Sequence, residues 1–268
     1  MKVLSLYIFL FFITLQGHAA DSLRLIRSIP VAARLLSSDP LGNIYLVKEN
    51  NTLLKLNNKG DSIGIFNEIK KGKITQIDAG NPLRILLLFA DYNQVVILNN
   101  VMTQKAILRL NSIGLNKVSC IANSADGSIW LYDQAFGTLL KVDEQLDLLQ
   151  TTNLRNIEEN PLDPCMMSEN ERSLYIADTT DGIRKFDQFG FYNTTYRFKT
   201  DNFQIFNTSL VYFNSPFLYS YNVLSFTEKK IELPDGGNII SVRTERNSIY
   251  VLRTSQLDIY ELAEMSSR

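Results

Sequence analysis

One histidine, His18, and two cysteines, Cys120 and Cys165, stand in 268 residues. Ser-His-Asp and Cys-His catalysis both need a histidine, as does any mixed zinc site. Two cysteines do not make a structural zinc site by themselves. An excess of charge is also missing. The 27 basic side chains face 28 acidic ones, for a formal net charge of −1. Phosphate neutralisation needs a strongly basic face, so nucleic acid is not an expected partner. Long hydrophobic runs are missing too. The stretch VLSLYIFLFFITL (3–15) has 13 residues, short of the roughly 17–25 that a spanning helix needs. With 45% hydrophobic and 21% charged residues, the composition is that of a globular chain rather than a disordered one.

The lone histidine lies in a segment with its own logic. Met1-Lys2 is a short positive start, the 3–15 run is apolar, and Gln16 to Ala20 is a small, polar end. That layout is a secretory signal peptide. Gly17 and Ala19 suit the small positions before the cut, so cleavage is expected after Ala19. The exported chain, 20–268, would then contain no histidine. The residue directly after the cut is Ala20 rather than a cysteine, which argues against a lipid anchor. The alternative is an uncleaved anchor or a buried N-terminal helix.

What is present is a repeat. Six runs resemble one another: GNIYLV (42–47), RILLLF (84–89), SIWLYD (128–133), SLYIAD (173–178), SLVYFN (209–214) and SIYVLR (248–253). Their anchor residues are Ile44, Ile85, Ile129, Leu174, Leu210 and Ile249, spaced 41, 44, 45, 36 and 39 residues apart. All six runs are rich in the β-branched and aromatic residues that favour strands. Eleven to thirteen residues past each anchor, an apolar residue meets a turn-former or acid: Leu56-Asn57, Leu98-Asn99, Val142-Asp143, Phe186-Asp187, Tyr221-Asn222 and Tyr260-Glu261. A further run precedes the anchor, as in VSCIANS (118–124), and another follows, as in SIGIF (62–66). Asp, Asn and Gly sit at the reversals, where positive φ and Asx turns are needed. Four short strands in about 40 residues, repeated radially, predict an all-β, six-bladed β-propeller. No long amphipathic helix is expected; residues 156–160 could hold one turn.

The ends predict how the ring shuts. The last unit supplies three strands, IISVR (239–243), SIYVLR and LDIYEL (257–262), while LRLIRSI (23–29) is spare at the start. The N-terminal strand should therefore complete the last blade and remove an exposed sheet edge. Residues 20–268 then form a single domain.

SLYIADTTDGIRKFDQFG (173–190) resembles the NHL repeat, and DPLGNIYLVKENNTLLKLNNKG (39–60) is similar to it. ADGSIWLYD (125–133) is similar to propeller repeats of bacterial two-component sensors. This likeness implies an NHL-like propeller and no particular function. A narrower resemblance is carried by SDPLGNIYLVKENNTLLKLNNKG (38–60) and ITQIDAGNPLRILLLFADYNQVVILNN (74–100) behind a signal peptide. Together they resemble a family of small secreted propellers of Bacteroidota that includes the periplasmic plug subunit of the type 9 secretion translocon. That resemblance implies a periplasmic protein, peripheral at the inner side of the outer membrane, with the translocon barrel as its protein partner.

Asp133 and Asp178 each fall four residues after an anchor, with Asp91 nearby in its own unit. Converging on the channel, they could make a cation site or a glycosidase-like acid pair, so a propeller enzyme or a glycan- or cation-binding protein is the alternative reading. Local Asx caps are the expectation, because the equivalent positions elsewhere are Lys48, Asn214 and Arg253, and no acidic ring forms. Cys120 and Cys165 share one position in neighbouring units. A disulfide between them is conceivable in an oxidising compartment, yet equivalent positions need not come within bonding range; two buried thiols are expected. Of 15 Phe, 12 Tyr and 1 Trp, most suit strand positions and core packing. Tyr92, Tyr132 and Phe136 fall in or beside loops. The long connection over residues 150–163 carries Arg155, Glu158 and Glu159. Long loops on a rigid scaffold are where binding concentrates, so these six residues are the candidate partner contacts. Lys70, Lys71 and Lys73 read as a solvated turn. The expectation is a non-enzymatic protein-binding module with no cofactor, no metal and no membrane span.

Overall fold

Strand after strand begins and ends where the anchor runs do. In the computed structural model RILLLF is one strand, Arg84–Phe89, and SLYIAD is another, Ser173–Asp178. The structure describes residues 23–68, 72–155, 162–178, 180–234 and 237–262. The possible helical turn at 156–160 lies outside them. Among the described residues there are 24 strands, and the only helical segments are short 3-10 turns at Ala90–Tyr92 and Leu110–Ile113.

The chain opens with β1 (Leu23–Pro30). Blade 1 is β2 (Ala33–Ser38), β3 (Ile44–Lys48), β4 (Leu53–Leu56) and β5 (Ser62–Phe66). Blade 2 is β6 (Gln76–Asn81), β7 (Arg84–Phe89), β8 (Gln94–Leu98) and β9 (Gln104–Arg109). Blade 3 is β10 (Val118–Asn123), β11 (Ile129–Asp133), β12 (Thr138–Val142) and β13 (Leu148–Asn153). Blade 4 is β14 (Pro164–Asn170), β15 (Ser173–Asp178), β16 (Gly182–Phe186) and β17 (Tyr192–Tyr196). Blade 5 is β18 (Phe203–Phe206), β19 (Ser209–Asn214), β20 (Phe217–Asn222) and β21 (Thr227–Glu232). Blade 6 is β22 (Ile239–Glu245), β23 (Ser248–Arg253) and β24 (Gln256–Leu262), with β1 as its outer strand. Every pair is antiparallel, and the protein is a six-bladed β-propeller.

The turn-formers noted in the sequence close the outer hairpins by one device. The Asn57 Oδ1 accepts the amides of Lys59 and Asp61, both at 2.9 Å. Asn99, Asp143 and Asp187 do the same for the residues two and four places on. These are Asx turns, in which the side chain replaces a missing backbone partner. The third residue after the cap is left-handed in each, Gly60 at φ +86 among them.

The core lies between blades rather than within them, because a strand buried on both faces offers alternate residues to each neighbour. Ile44 and Leu46 pack with Tyr250 and Leu252 of blade 6, whereas Tyr45 and Val47 pack with Ile85 and Leu87 of blade 2. The same alternation carries Ile129 and Leu131 toward blade 2, and Trp130 and Tyr132 toward blade 4. Cys120 is buried in that last cluster beside Trp130.

Ring closure is as the termini predict. β1 pairs with β24 from Leu23↔Leu262 to Pro30↔Gln256, with a bulge between Leu25 and Arg27. Arg24 pairs with Glu261, and the Ser28 hydroxyl donates to Asp258 at 2.6 Å. Arg27 reaches over to Asp61 of blade 1 at 2.8 Å. Ile29 lies against Gly60, where a Cβ would stand 2.3 Å from the Ile29 Cδ1. Deleting residues 23–30 should therefore lower the melting temperature by on the order of 10 °C. Gly60→Ala should lower it by a few degrees through its left-handed φ and its clash with Ile29. Thermal melts followed by circular dichroism check both, and an unchanged melt for the deletion would overturn the role of β1.

Candidate functional site

The inner strands β2, β6, β10, β14, β18 and β22 line a central channel. Two vestibules meet at a waist shared by Ile77, Met166 and Arg243. The lower vestibule, about 250 Å³, opens on the face carrying the connections between blades. The upper one, about 400 Å³, opens on the face of the first-to-second strand turns.

Arg243 spans the waist. Its Nη1 donates to the Phe203 carbonyl of blade 5 at 2.8 Å and its Nε to the Leu36 carbonyl of blade 1 at 3.5 Å. Its Nη2 lies 3.8 Å from the Met166 sulfur of blade 4. Burial lowers its pKa to about 10, against the charges of Glu245 and Asp78, so the guanidinium remains charged at neutral pH. One side chain thus touches three other blades.

Arg243 occupies a definite position in the repeat. Opposite the residue after each anchor, the inner strand carries Ser37, Asp78, Ala122, Ser168, Gln204 and Arg243. Three of these fasten one blade to the next. The Asp78 Oδ2 accepts the Asn123 amide at 2.6 Å. Gln204 accepts the Thr244 amide at 2.7 Å and donates to its carbonyl at 3.0 Å. Gln76 makes the same two-way clasp on Ile121. Glu169 holds blade 3 by accepting from Ser124, the Ala125 amide and the Trp130 Nε1.

The upper-vestibule carboxylates are therefore structural partners. Burial raises the Asp78 pKa against its amide hydrogen bonds. Burial likewise raises that of Glu245 to about 7, against the Ser38 hydroxyl, which donates to it at 2.6 Å, and the Arg243 charge. Sequence reasoning missed Asp78, Glu169, Glu245 and Arg243. The available signal was a charged residue on an inner strand, as Arg243 and Glu245 are in IISVRTE.

The aspartates that the pattern singled out do not gather at the channel. Asp133 ends β11 and accepts the Ala135 amide at 2.9 Å. Asp178 ends β15 and accepts the amides of Thr180 and Asp163 at 2.8 and 3.0 Å. Both are buried local caps, as expected, while Asp91 is exposed in the 3-10 turn at 90–92. Among the described residues no group of three or more His, Cys, Asp or Glu could hold a metal ion. None of their helices is long and apolar enough to cross a membrane, which leaves strand-based crossing untouched.

The loop candidates fall on the lower face. Tyr92 is exposed beside Gly72, and Phe136 is exposed between β11 and β12. The Arg155 guanidinium donates to the Ala135 carbonyl, and its stem packs on Gly137, bringing it to the Phe136 loop. Lys73 is exposed in the connection to blade 2. Two expectations are corrected. Tyr132 lies within β11, buried, its hydroxyl donating to the Leu162 carbonyl at 3.1 Å, because its register turns it toward blade 4. The long connection begins only at Leu154, since residues 150–153 pair with β12 as part of β13. Glu158, Glu159, Lys70 and Lys71 lie outside the described residues, as does the Cys165 side chain, so a Cys120–Cys165 bond lies outside them too.

No protein-family model matches the chain, and no curated protein matches it. Solved structures are similar to it in fold. A chain of the mitotic checkpoint complex superposes with a TM-score of 0.66 at 8% identity, over 98% of this chain and 99% of that one. A catalytically inactive histidine-to-alanine variant of virginiamycin B lyase from Staphylococcus aureus, with quinupristin, gives 0.60 at 11%, over 86% and 80%. PorZ, an essential bacterial surface component of the type-IX secretion system of Porphyromonas gingivalis, gives 0.53 at 12%, over 90% of this chain and 38% of that one. Identities this low show a shared propeller fold and nothing finer.

The raised pKa of Glu245 has a definite sign. Between its ordinary value of 4.5 and about 7 the folded protein holds more protons than the unfolded one. Stability therefore falls as pH rises through that window, and Asp78 acts in the same direction. Melting temperature should be higher at pH 5 than at pH 8, and Glu245→Gln should shrink the difference. Arg243→Ala should destabilise by on the order of 3 kcal/mol by stranding the carboxylates around it. Denaturant titration of the variants across pH checks both.

Proposed function

We propose that the chain is a non-enzymatic, exported propeller that binds protein, and that its partner is the type 9 secretion translocon, whose periplasmic mouth it caps. The waist that Arg243 spans carries this reading. A disc used to seal a pore must not leak through its own centre, and Arg243, bonded to blades 1 and 5 and lying against Met166 of blade 4, narrows that centre. A closed propeller is also wide and rigid, so docking costs little ordering. The residues 1–19, laid out as a signal peptide, agree with a periplasmic location, and the resemblance of 38–60 and 74–100 to secreted Bacteroidota propellers agrees with the system. PorZ adds a fold likeness to a component of the same system. The chain of the checkpoint complex shows the fold working in a protein assembly. The lyase variant was inactivated at a histidine, and the one histidine here is His18.

The lower face, with Tyr92, Phe136 and Arg155, is assigned as the contact. A cap that must leave again calls for a modest interface with a polar rim. Deleting the gene should make the outer membrane permeable to large antibiotics, and the tagged protein should co-purify with the translocon. Tyr92→Ala with Phe136→Ala should reduce that recovery severalfold while the melt stays unchanged. A sealed outer membrane in the deletion strain and a translocon without the protein would overturn the capping role.

A further inference from the structure

Blade 5 departs from the repeat at the position that faces blade 6. The residue after each anchor points to the next blade, and it is Tyr45, Leu86, Trp130, Tyr175 and Tyr250 in the other five blades. In three of them a lysine on the third strand lies directly across: Tyr45↔Lys55, Trp130↔Lys141 and Tyr175↔Lys185. Each lysine ammonium sits over its ring, 4.8 to 5.7 Å from the centroid. In blade 5 the pair is Val211↔Ser220. A ring and a four-carbon stem are replaced by two small side chains.

The missing volume is visible. A crevice of about 440 Å³ opens between blades 5 and 6, walled by Val211, Leu218, Ile231, Ile249 and Leu262. The size suits a ligand group. Phe206 also lines it, and Lys229 and Arg246 are its two charged members; among the described residues no carboxylate lines it. Both cations are exposed. In blades 1, 3, 4 and 6 such a space is filled from within the chain by an aromatic ring, and in blade 2 by Leu86 and Ile97.

We propose that this crevice receives an aromatic side chain carried on an acidic segment of a partner protein. The ring takes the place that Trp130 or Tyr175 holds in its own blade, and the acidic flanks meet Lys229 and Arg246. Aromatic anchors in desolvated pockets dominate protein recognition, and the flanking charges add steering and selectivity. The inference rests on the protein-binding reading but uses a surface separate from Tyr92 and Phe136.

The test is fluorescence anisotropy with a labelled Glu-Asp-Phe-Asp-Glu peptide. Saturable binding is expected, weakening with salt and falling at least about tenfold when the phenylalanine becomes alanine. Val211→Trp with Ser220→Lys rebuilds the filled pair of blade 3 and should abolish binding with the melting temperature held or raised. Lys229→Glu with Arg246→Glu changes only exposed groups and should transfer preference to a Lys-Lys-Phe-Lys-Lys peptide. The proposal is overturned if the filled crevice binds the peptide as well as the open one does, if the alanine peptide binds equally, or if laurate occupies the crevice and no peptide does. Translocon recovery is scored on the same variants. Peptide binding without co-purification fails the capping role alone, and co-purification untouched by filling the crevice, with no peptide bound, fails this inference alone.

Discussion

The antiparallel pairing of β1 with β24 is the constraint on which the disc depends. A propeller blade buries both faces, so a ring with one open joint would expose two apolar walls at once. That joint here is the cluster in which Val31, Ala33, Leu36 and Ile44 pack with Tyr250, Leu252, Leu257 and Ile259. β1 is itself largely exposed. Its contribution is to hold together the blade on the far side of the joint, covering the edge of β24 and reaching Asp61 through Arg27. Because β1 and β24 lie more than 200 residues apart in sequence, the contact costs loop-closure entropy that a hairpin would not. The repeat recovers that cost only when all six interfaces are formed, which makes folding of the ring cooperative.

The interfaces are apolar toward the rim and polar toward the axis. Near the axis the blades are too close for large side chains on every strand, and each inner strand has amides and carbonyls to satisfy. Amide and carboxylate side chains at Gln76, Asp78 and Gln204 satisfy them across the gap. Arg243 does so for two carbonyls with a rigid fork whose third arm meets the Met166 sulfur, which a lysine could not reproduce. Its buried charge is expensive and is held in place by Glu245 and Asp78, whose own pKa values rise in the same surroundings. Spanning the waist and fastening the blades are thus one arrangement.

The fold was legible because it is local and repeated. Strand runs with β-branched and aromatic residues, followed by Asn57, Asn99, Asp143 and Asp187 at fixed distances, report hairpins whose caps act within four residues. Asp133 and Asp178 were legible as caps for the same reason. The channel was not legible. Arg243, Asp78 and Glu245 meet there from blades 2 and 6, and which side chain of a polar inner strand faces the axis depends on bulges such as the one between Ile239 and Ser241. A one-residue shift turns every side chain to the other face, and sequence pattern does not locate a bulge. Tyr132 shows the same limit: it stands one residue before the end of a run that leads into a loop, yet its register buries it.

Blade 5 joins these points. Its β18–β19 and β20–β21 pairs run without a register shift, whereas blades 1 to 4 each carry a bulge in both corresponding pairs. Its outer turn differs as well, with Asn222 accepting the amides of Leu224 and Ser225 instead of residues two and four places on. Bulges add twist and re-aim side chains, so a blade without them sits differently against its neighbour even before Val211 and Ser220 reduce the contact. The departure is therefore a property of the whole blade, in its register, its turn and its filling pair together. Arg246 lines both the upper vestibule and the crevice, and it follows Glu245 directly on a blade whose inner strand carries Arg243. A segment bound at the crevice would meet Arg246 at the end of the strand that carries Arg243, so the crevice between blades 5 and 6 is joined to the waist through one strand.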